Sequence, residues 1–392
     1  TLTGLSSDEI TNVEGSDPSY VNLERNNLLA GDPLVGSLWN DSYKIIYQAN
    51  DILEELQKSN SLSDKIKLHA RGEALFARGF VYFYLTNLFG DVPLLLTTDY
   101  RVTSTAPRQN TIIIFKQIEL DLREARGLLD STYIRSNRTR PNKFAAAALL
   151  ARVYLYQAKW NEAEKAASDV INSNLYFFPN DLNHVFKNTS TESIWQLASE
   201  NNFNTKDGSS FIIESVGSAT NALRDQVLNA FEANDQRITN WIGSWQDDFS
   251  SLKLKYLFKY KAQYNGPTSE FLVALRLAEL FLIRSETRTQ LSNLEGAIAD
   301  LNEVRLRGGL SSVEDTYGTV DQTQLLDLIF NERRIELLGE WGHRWFDLKR
   351  SERAVGILGS IKPGFTTNDL LYPIPSLEFS RNPYLGNQNT GY

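Results

Sequence analysis

Side chains that could hold a metal ion stand at helical spacing near the C-terminal end of the chain. Glu336, Glu340, His343 and Asp347 occupy positions i, i+4, i+7 and i+11. On one continuous helix these side chains would share a face. The spacing Glu340-x-x-His343 also occurs in carboxylate-bridged di-iron sites, which need two such pairs on facing helices.

A second Glu-x-x-His pair is missing from the sequence. The remaining histidines are His69 and His184, and neither follows a glutamate at that spacing. Arginine is well suited to bidentate contacts with carboxylates, and Arg333, Arg334 and Arg344 lie in the same stretch. We therefore expect internal ion pairs here and no metal site.

Other catalytic chemistry has little support in the sequence. There is no cysteine, no G-x-S-x-G nucleophile motif and no glycine-rich phosphate loop. A glycosidase needs only two carboxylates across a sugar, but nothing singles out a pair among 48 acidic residues. We predict a protein that is not an enzyme, with no catalytic residues and no cofactor.

Binding of a carbohydrate asks for simpler chemistry, and aromatic side chains in polar stretches could supply it. A sugar ring stacks its apolar face on an aromatic ring, while amide, carboxylate or guanidinium groups bond its hydroxyls. The candidates in the polar middle of the chain are Asn202, Phe203, Arg237, Trp241, Trp245, Tyr264 and Asn265.

Helices are the elements that must position these residues. Apolar residues recur at helical spacing over 39–56, 63–89, 111–129, 142–158 and 161–172. Gly90 and Pro93 end the second of these helices, because glycine accepts the left-handed C′ conformation and proline cannot continue a helix. The charged stretch 331–350 is predicted to be one long amphipathic helix with an aromatic end.

Internal similarity turns the helices into an architecture. Residues 77–80, 151–154 and 278–281 each place a small residue, alanine, three positions before an aromatic one on a helix, as in tetratricopeptide helix pairs. We predict one mostly α domain spanning 1–392, with a tetratricopeptide-like scaffold of about four helix pairs. The scaffold segments are approximately 36–89, 111–172, 271–307 and 322–350.

Long irregular insertions separate these scaffold segments. They cover approximately 1–35 and 175–267, and a C-terminal wrapping tail covers 351–392. Within them we expect short strands at 193–198 and 253–260, a helix at 221–233 and irregular structure over 1–35. Long loops inside a compact domain are uncommon unless they have a function, so ligand binding is predicted in the insertions.

Composition excludes several classes of protein. The 392 residues are 42% hydrophobic and 22% charged, which is enough for a large folded core. The net charge is −8, so a nucleic-acid partner is not expected. The sequence has no run of eighteen apolar residues that could span a bilayer.

Several motifs together resemble the SusD/RagB family of surface glycan-binding lipoproteins. The family signature ERR-x-E…G-x-R-W-[FY]-D-[LM]-[KR]-R is similar to residues 332–350. The remaining matches are RGFVYFYLTNLFGDVP at 78–93, where Gly79 replaces the commoner alanine, RLAELFLIRSE at 276–286, LYPIP at 371–375, Asn382-Pro383, and Gln388-Asn389 with Gly391-Tyr392.

The resemblance implies a non-catalytic function at the cell surface. Such proteins capture an oligosaccharide or polysaccharide and deliver it to a TonB-dependent SusC-like outer-membrane transporter. The resemblance also implies export and a lipid anchor on an N-terminal cysteine, absent from this chain, at the extracellular face of the outer membrane. Asp8 and Glu9 are similar to an acidic pair that the family often carries close to the ligand groove.

A helical-repeat module that binds peptides or protein partners is the alternative. It would place aromatic and charged side chains along the inner face of the repeat helices. The aromatic residues predicted to be exposed fall in the insertions instead, which favours the carbohydrate interpretation. Peptide uptake stays open, because residue types do not separate the two ligands.

Overall fold

Helices dominate the computed structural model, which describes residues 2–13, 15, 17–199, 201, 203–215 and 220–392. The α-helices are α1 Leu2–Ser6, α2 Pro18–Arg25, α3 Pro33–Lys58, α4 Asp64–Phe89, α5 Tyr100–Thr103, α6 Thr111–Leu128, α7 Lys143–Tyr156, α8 Trp160–Ile171, α9 Lys206–Phe211, α10 Asp225–Leu228, α11 Gln236–Trp241, α12 Leu277–Gln290, α13 Leu294–Arg307, α14 Val313–Tyr317, α15 Gln322–Glu336, α16 His343–Arg350, α17 Ala354–Gly359 and α18 Ser376–Arg381.

Strands are short and pair in twos. They are β1 Ile10–Asn12, β2 Val92–Pro93, β3 Arg108–Gln109, β4 Ser193–Leu197, β5 Asn221–Leu223, β6 Ile242–Gln246, β7 Lys253–Leu257 and β8 Leu272–Arg276. The antiparallel pairs are β1 with β5, β2 with β3, β4 with β8 and β6 with β7. Within the described residues, short 3₁₀ helices also lie at Leu182–His184, Thr367–Leu370 and Pro383–Leu385.

Successive long helices pack side by side and confirm the mostly α, tetratricopeptide-like fold. Helix α3 packs on α4, α4 on α6, α6 on α7, α7 on α8, and α8 on α12, which in turn packs on α13 and α15. Small residues allow the close approach: a Cβ on Gly79 would lie 3.0 Å from Leu122 of α6. The alanine-rich α7 is buried along its length, as its composition predicts.

Helix ends follow local capping chemistry, and most predicted ends of the long helices lie within about two residues of the structure. Helix α3 is the exception, because it begins at Pro33 and not at the predicted residue 39. The Asp32 side chain accepts a hydrogen bond from the Leu34 N–H, and Pro33 occupies the first turn of α3. Gly90 ends α4 with a φ of +75°. The strands predicted at 193–198 and 253–260 are confirmed as β4 and β7.

The prediction of one long helix over 331–350 is wrong. Helix α15 ends at Glu336 and α16 begins at His343, and the backbone between them takes left-handed values at Gly339, Trp341 and Gly342. Alanine at Gly339 would place a Cβ 2.3 Å from Leu257, so the turn also brings the backbone against β7. The four metal-type side chains therefore do not share one helix face.

Two further expectations are corrected. Residues 221–233 form strand β5 and the short helix α10 instead of one helix, because Asn221 to Leu223 pair with Asn12 to Ile10. The first 35 residues contain α1, β1 and α2 and carry core side chains such as Leu5. Long-range pairing decides both cases.

Among the described residues, no helix is both long and apolar enough to cross a membrane.

Candidate functional site

Charged side chains of the stretch 331–350, such as Glu336 and Glu340, are buried in contact with charged residues from other parts of the chain. Arg276, at the end of β8, donates hydrogen bonds to Glu192 at 2.8 Å, to Glu336 at 2.5 Å and to both oxygens of Glu340 at 2.8 Å. All four side chains are almost fully excluded from solvent. This network joins β8, α15 and the turn after α15 into one rigid unit.

Arginines hold the carboxylates of this network in the charged form. Burial alone would raise the pKa of Glu336, but Arg307, Arg276 and Arg237 outweigh it and keep that pKa below its ordinary value. Asp347 accepts hydrogen bonds from Arg333 at 2.8 and 3.1 Å, which confirms the predicted ion pairing. In the described part of the chain, no group of His, Asp and Glu side chains has the arrangement to hold a metal ion.

Asp8 and Glu9 lie in this buried layer and not at a surface groove. The Asp8 carboxylate accepts hydrogen bonds from Arg344 and Arg334, and Glu9 accepts one from the Gly339 N–H at 3.3 Å. Burial, followed by the charge of Asp8, raises the pKa of Glu9 to about 7. The resemblance implied an acidic pair close to a ligand groove, but both side chains are only 2% exposed, so neither carboxylate is accessible to a ligand.

Trp241 and Arg237 are also buried, contrary to the expectation of exposure. Trp241 is only 1% exposed, its indole N–H donates to the Leu182 carbonyl at 3.1 Å, and Lys259 lies 4.6 Å from its ring centroid. Arg237 is fully engaged with carboxylates, among them Glu332 at 2.5 Å. Both side chains stabilise the base of the insertion and present no surface to a sugar.

Phe203 and Tyr264 are two of the predicted ligand-binding residues. They are distant in the sequence, and the structure brings them together as an aromatic pair. Their ring centroids are 5.0 Å apart at 59°, and both residues are partly exposed. Lys206 lies 5.7 Å from the Tyr264 ring, and Asn265 next to it is exposed. The structure thus brings three predicted residues together, while Asn202 lies outside the described residues.

Asn204 is the residue that holds this pair in place. Its buried side chain donates to the carbonyls of Gln263, Gly266 and Pro267, and it accepts from the N–H groups of Ser269 and Glu270. One amide therefore ties the loop of Phe203 to the loop of Tyr264. The sequence analysis missed Asn204, although buried asparagines often bond loop backbones in this way.

Polar side chains border the aromatic pair. Gln263 donates to the Glu214 carboxylate at 2.6 Å, and the Ser209 hydroxyl accepts from the Tyr264 N–H at 2.9 Å. Glu214 is also close enough to Tyr256 of β7 to help raise the pKa of that phenol, after the larger effect of burial. This border supplies the donors and acceptors that sugar hydroxyls require.

The β6–β7 hairpin carries a second aromatic feature. Trp245 lies opposite Leu254 in the hairpin and is partly exposed, so it stays available as a candidate. Phe249 stands in the connecting turn and is 97% exposed. The sequence analysis missed Phe249, although an aromatic residue in the polar turn Asp247–Ser250 between two strands is a usable signal. We call Phe203, Tyr264, Asn265, Trp245 and Phe249 the insertion surface.

Comparisons of sequence agree with this architecture. The sequence model of a family described as starch-binding and associating with the outer membrane matches residues 10–155. The model of the SusD family matches residues 253–392. A curated relative, SusD-like protein P2 of Formosa agariphila, is 27% identical over 448 aligned positions that cover 100% of this chain and 88% of the relative.

Comparisons of structure give the same fold over the full length. A SusD superfamily protein from Bacteroides vulgatus superposes with a TM-score of 0.88 at 23% identity, covering 100% of this chain and 92% of that one. A laminarin-binding SusD-like protein superposes with a TM-score of 0.83 at 22% identity, covering 100% and 94%. At this identity, the likeness is one of fold.

Proposed function

Because the chain belongs to the SusD/RagB family, we propose that it binds oligosaccharide or polysaccharide nutrients without altering them. It holds them at the outer face of the outer membrane and delivers them to a TonB-dependent SusC-like transporter. The observation that carries the binding half of this proposal is the Phe203–Tyr264 pair on the insertion surface.

The chemistry of the insertion surface supports a sugar ligand. Partly exposed aromatic faces stand beside amide, hydroxyl and carboxylate groups, which is the combination that a pyranose ring with equatorial hydroxyls uses. Asn204 fixes both loops through five hydrogen bonds to backbone groups, so the pair is preorganised. A laminarin-binding protein among the structural neighbours is consistent with this ligand class.

The delivery half of the proposal needs a protein-binding surface on the scaffold. Tyr100, Val102 and Ile112 lie close in sequence near α5 and the start of α6, and each is more than half exposed. Exposed apolar side chains grouped in this way often mark contacts with a partner protein. We place the transporter contact at these residues.

Affinity electrophoresis in gels containing laminarin or starch tests the binding half. Tyr264→Ala and Phe249→Ala should reduce the retardation of the protein, because each removes an aromatic face worth roughly 1 kcal/mol or more. Tyr47→Ala is the control, since Tyr47 on the scaffold helix α3 is 54% exposed and so is more accessible than the partly exposed Tyr264. Retardation that is equal in all variants would show that the insertion surface does not bind these glycans.

Pull-down of the tagged protein from native outer membranes, followed by mass spectrometry, tests the delivery half. A stoichiometric TonB-dependent barrel should co-purify with the wild-type protein and be lost from Ile112→Asp. Recovery of soluble proteins or peptides in place of a barrel would favour the helical-repeat interaction module.

A further inference from the structure

A cavity of about 270 Å³ opens on the scaffold, and none of the residues that line it belongs to the insertion surface. It lies between the first half of α3, the segment from β2 to α5, and the tail around α18. The residues that matter for its chemistry are Trp39, Asn40, Tyr43, Ser104, Glu378 and Arg381. We call this cavity the tail pocket. It has room for one six-membered ring rather than a drug-sized ligand.

The aromatic floor of the tail pocket is fixed. The rings of Trp39 and Tyr43 have centroids 5.0 Å apart, and Trp39 packs edge-on against Phe89 at 5.2 Å. The Tyr43 hydroxyl donates to the Pro93 carbonyl at 2.9 Å. Burial raises the pKa of Tyr43 well above its ordinary value, so the ring stays a neutral phenol. This floor offers an apolar face that does not need to rearrange.

The wall of the tail pocket contains one ion pair, so it has charged groups but no net charge. Glu378 and Arg381 on α18 are paired at 2.7 Å, and Glu378 is much the more buried of the two. A paired carboxylate and guanidinium can accept from one hydroxyl and donate to another. Because the pair has no net charge, it favours a neutral polyhydroxylated ligand over an anion such as a uronate.

Several polar groups of the tail pocket have no protein partner. Within the described residues, the side chains of Asn40, Thr103 and Ser104 form no hydrogen bond with the protein, and all three residues line the cavity. These groups converge on one small cavity. They are free to bond the hydroxyls of a ligand.

Both sides of the tail pocket are held by hydrogen bonds. Asn382 donates to the Ala106 carbonyl at 2.8 Å and accepts from the Tyr384 N–H at 3.0 Å. The Ser376 N–H donates to the Ala30 carbonyl at 2.8 Å. The tail is therefore bound to the loop after α5 and to the segment before α3, and the cavity exists before any ligand arrives.

We propose that the tail pocket is a second saccharide site, which binds one neutral pyranose residue. The ring stacks on Tyr43, adjacent hydroxyls bond the Glu378–Arg381 pair, and Asn40 and Ser104 bond hydroxyls at the mouth. This site goes beyond the proposed glycan binding at the insertion surface and does not depend on it.

Saturation-transfer difference NMR tests the site on the full chain. The probes are D-glucose, D-galactose, D-mannose and D-xylose, with D-glucuronate as the charged comparison. Glu378→Ala should weaken binding of the preferred neutral sugar by roughly tenfold or more, as expected for loss of a charge-assisted hydrogen bond. Ser104→Trp should abolish it, since Ser104 is exposed at the mouth and its replacement fills the cavity without disturbing the core.

Two further variants make the outcome decisive. Glu55→Ala removes an equally spaced but exposed pair with Lys58 on α3 and should leave the signal unchanged. Tyr264→Ala should also leave it unchanged while reducing retardation by laminarin or starch. The proposal is overturned by no saturation transfer to any neutral sugar, by a signal that survives Ser104→Trp, by stronger binding of D-glucuronate, or by loss of the signal in Tyr264→Ala. Failure of the insertion surface alone would instead appear as unchanged gel retardation.

Discussion

The guanidinium of Arg344 donates to both oxygens of Asp8, at 2.7 and 2.8 Å, and so joins residues 336 positions apart in the chain. Arg334 adds a third bond to the same carboxylate at 2.8 Å. Lys362 donates to the carbonyls of Leu5 and Ser6, at 2.6 and 2.7 Å. The N-terminal segment is thereby fastened to the C-terminal part of the scaffold.

Asp8→Ala should therefore destabilise the whole protein. It leaves the Arg344 guanidinium buried without its partner, and losing one member of a buried pair costs about 3–5 kcal/mol of the free energy of unfolding. Urea unfolding followed by circular dichroism measures the change. Glu55→Ala breaks the exposed pair with Lys58 and should change the free energy of unfolding very little, because solvent screens the pair. Similar decreases in the free energy of unfolding of both variants would contradict the conclusion that Asp8 holds the N-terminal segment to the scaffold.

Glu9 should make stability depend on pH. Burial raises its pKa from 4.5 to about 7, so the folded protein holds this proton more tightly than the unfolded chain. Its stabilising contribution is fully present below pH 4.5 and is lost as pH rises to about 7. Glu9→Gln carries no such proton. As pH rises from 5 to 8, its free energy of unfolding should therefore gain up to about 3 kcal/mol relative to the wild type.

Parallel urea titrations of the two proteins isolate this effect. The charged groups around Glu9 are Asp8, Arg344 and Lys259, and both proteins share them. Burial lowers the pKa of Lys259 to about 8, which adds a pH dependence common to both. A stability difference that stays constant from pH 5 to pH 8 would show that Glu9 does not titrate in this range.

Gly339→Ala should disrupt the turn between α15 and α16. The residue has a φ of +71°, and the added Cβ would lie 2.3 Å from Leu257. Backbone strain and overpacking together should cost about 2–4 kcal/mol. Gly364→Ala is the control, because Gly364 has a φ of +89° but open space around it, so only the backbone strain applies. Chemical denaturation of both variants separates the two contributions, and equal losses would rule out the contact with Leu257.

Two tryptophans of one short segment should behave differently. Trp241→Ala removes a fully buried ring and its hydrogen bond to Leu182, and should cost about 3–5 kcal/mol. Trp245→Ala removes a partly exposed ring on the hairpin and should cost less than about 2 kcal/mol while weakening glycan binding. Thermal unfolding and gel retardation together test this, and weakened binding by a stable Trp241→Ala would return Trp241 to the candidate site.

Local sequence determined the scaffold of this protein. Apolar spacing and the glycine end of α4 depend on neighbours within a turn or two, so the long helices could be predicted, although α3 begins at Pro33, before the predicted residue 39. The motifs also indicated the family. Pairing of Arg333 with Asp347 followed from residue types that combine in few other ways when buried.

Tertiary structure alone decided which polar and aromatic side chains face solvent. Trp241 and Phe249 stand in equally polar sequence, yet one packs on Leu182 and Lys259 while the other occupies a turn that nothing covers. The resemblance implied that Asp8 lies close to a ligand groove, whereas the structure buries its carboxylate against Arg344, which is far along the chain. The exposure of a side chain depends on contacts between distant segments. The spacing of residues within one segment does not predict those contacts.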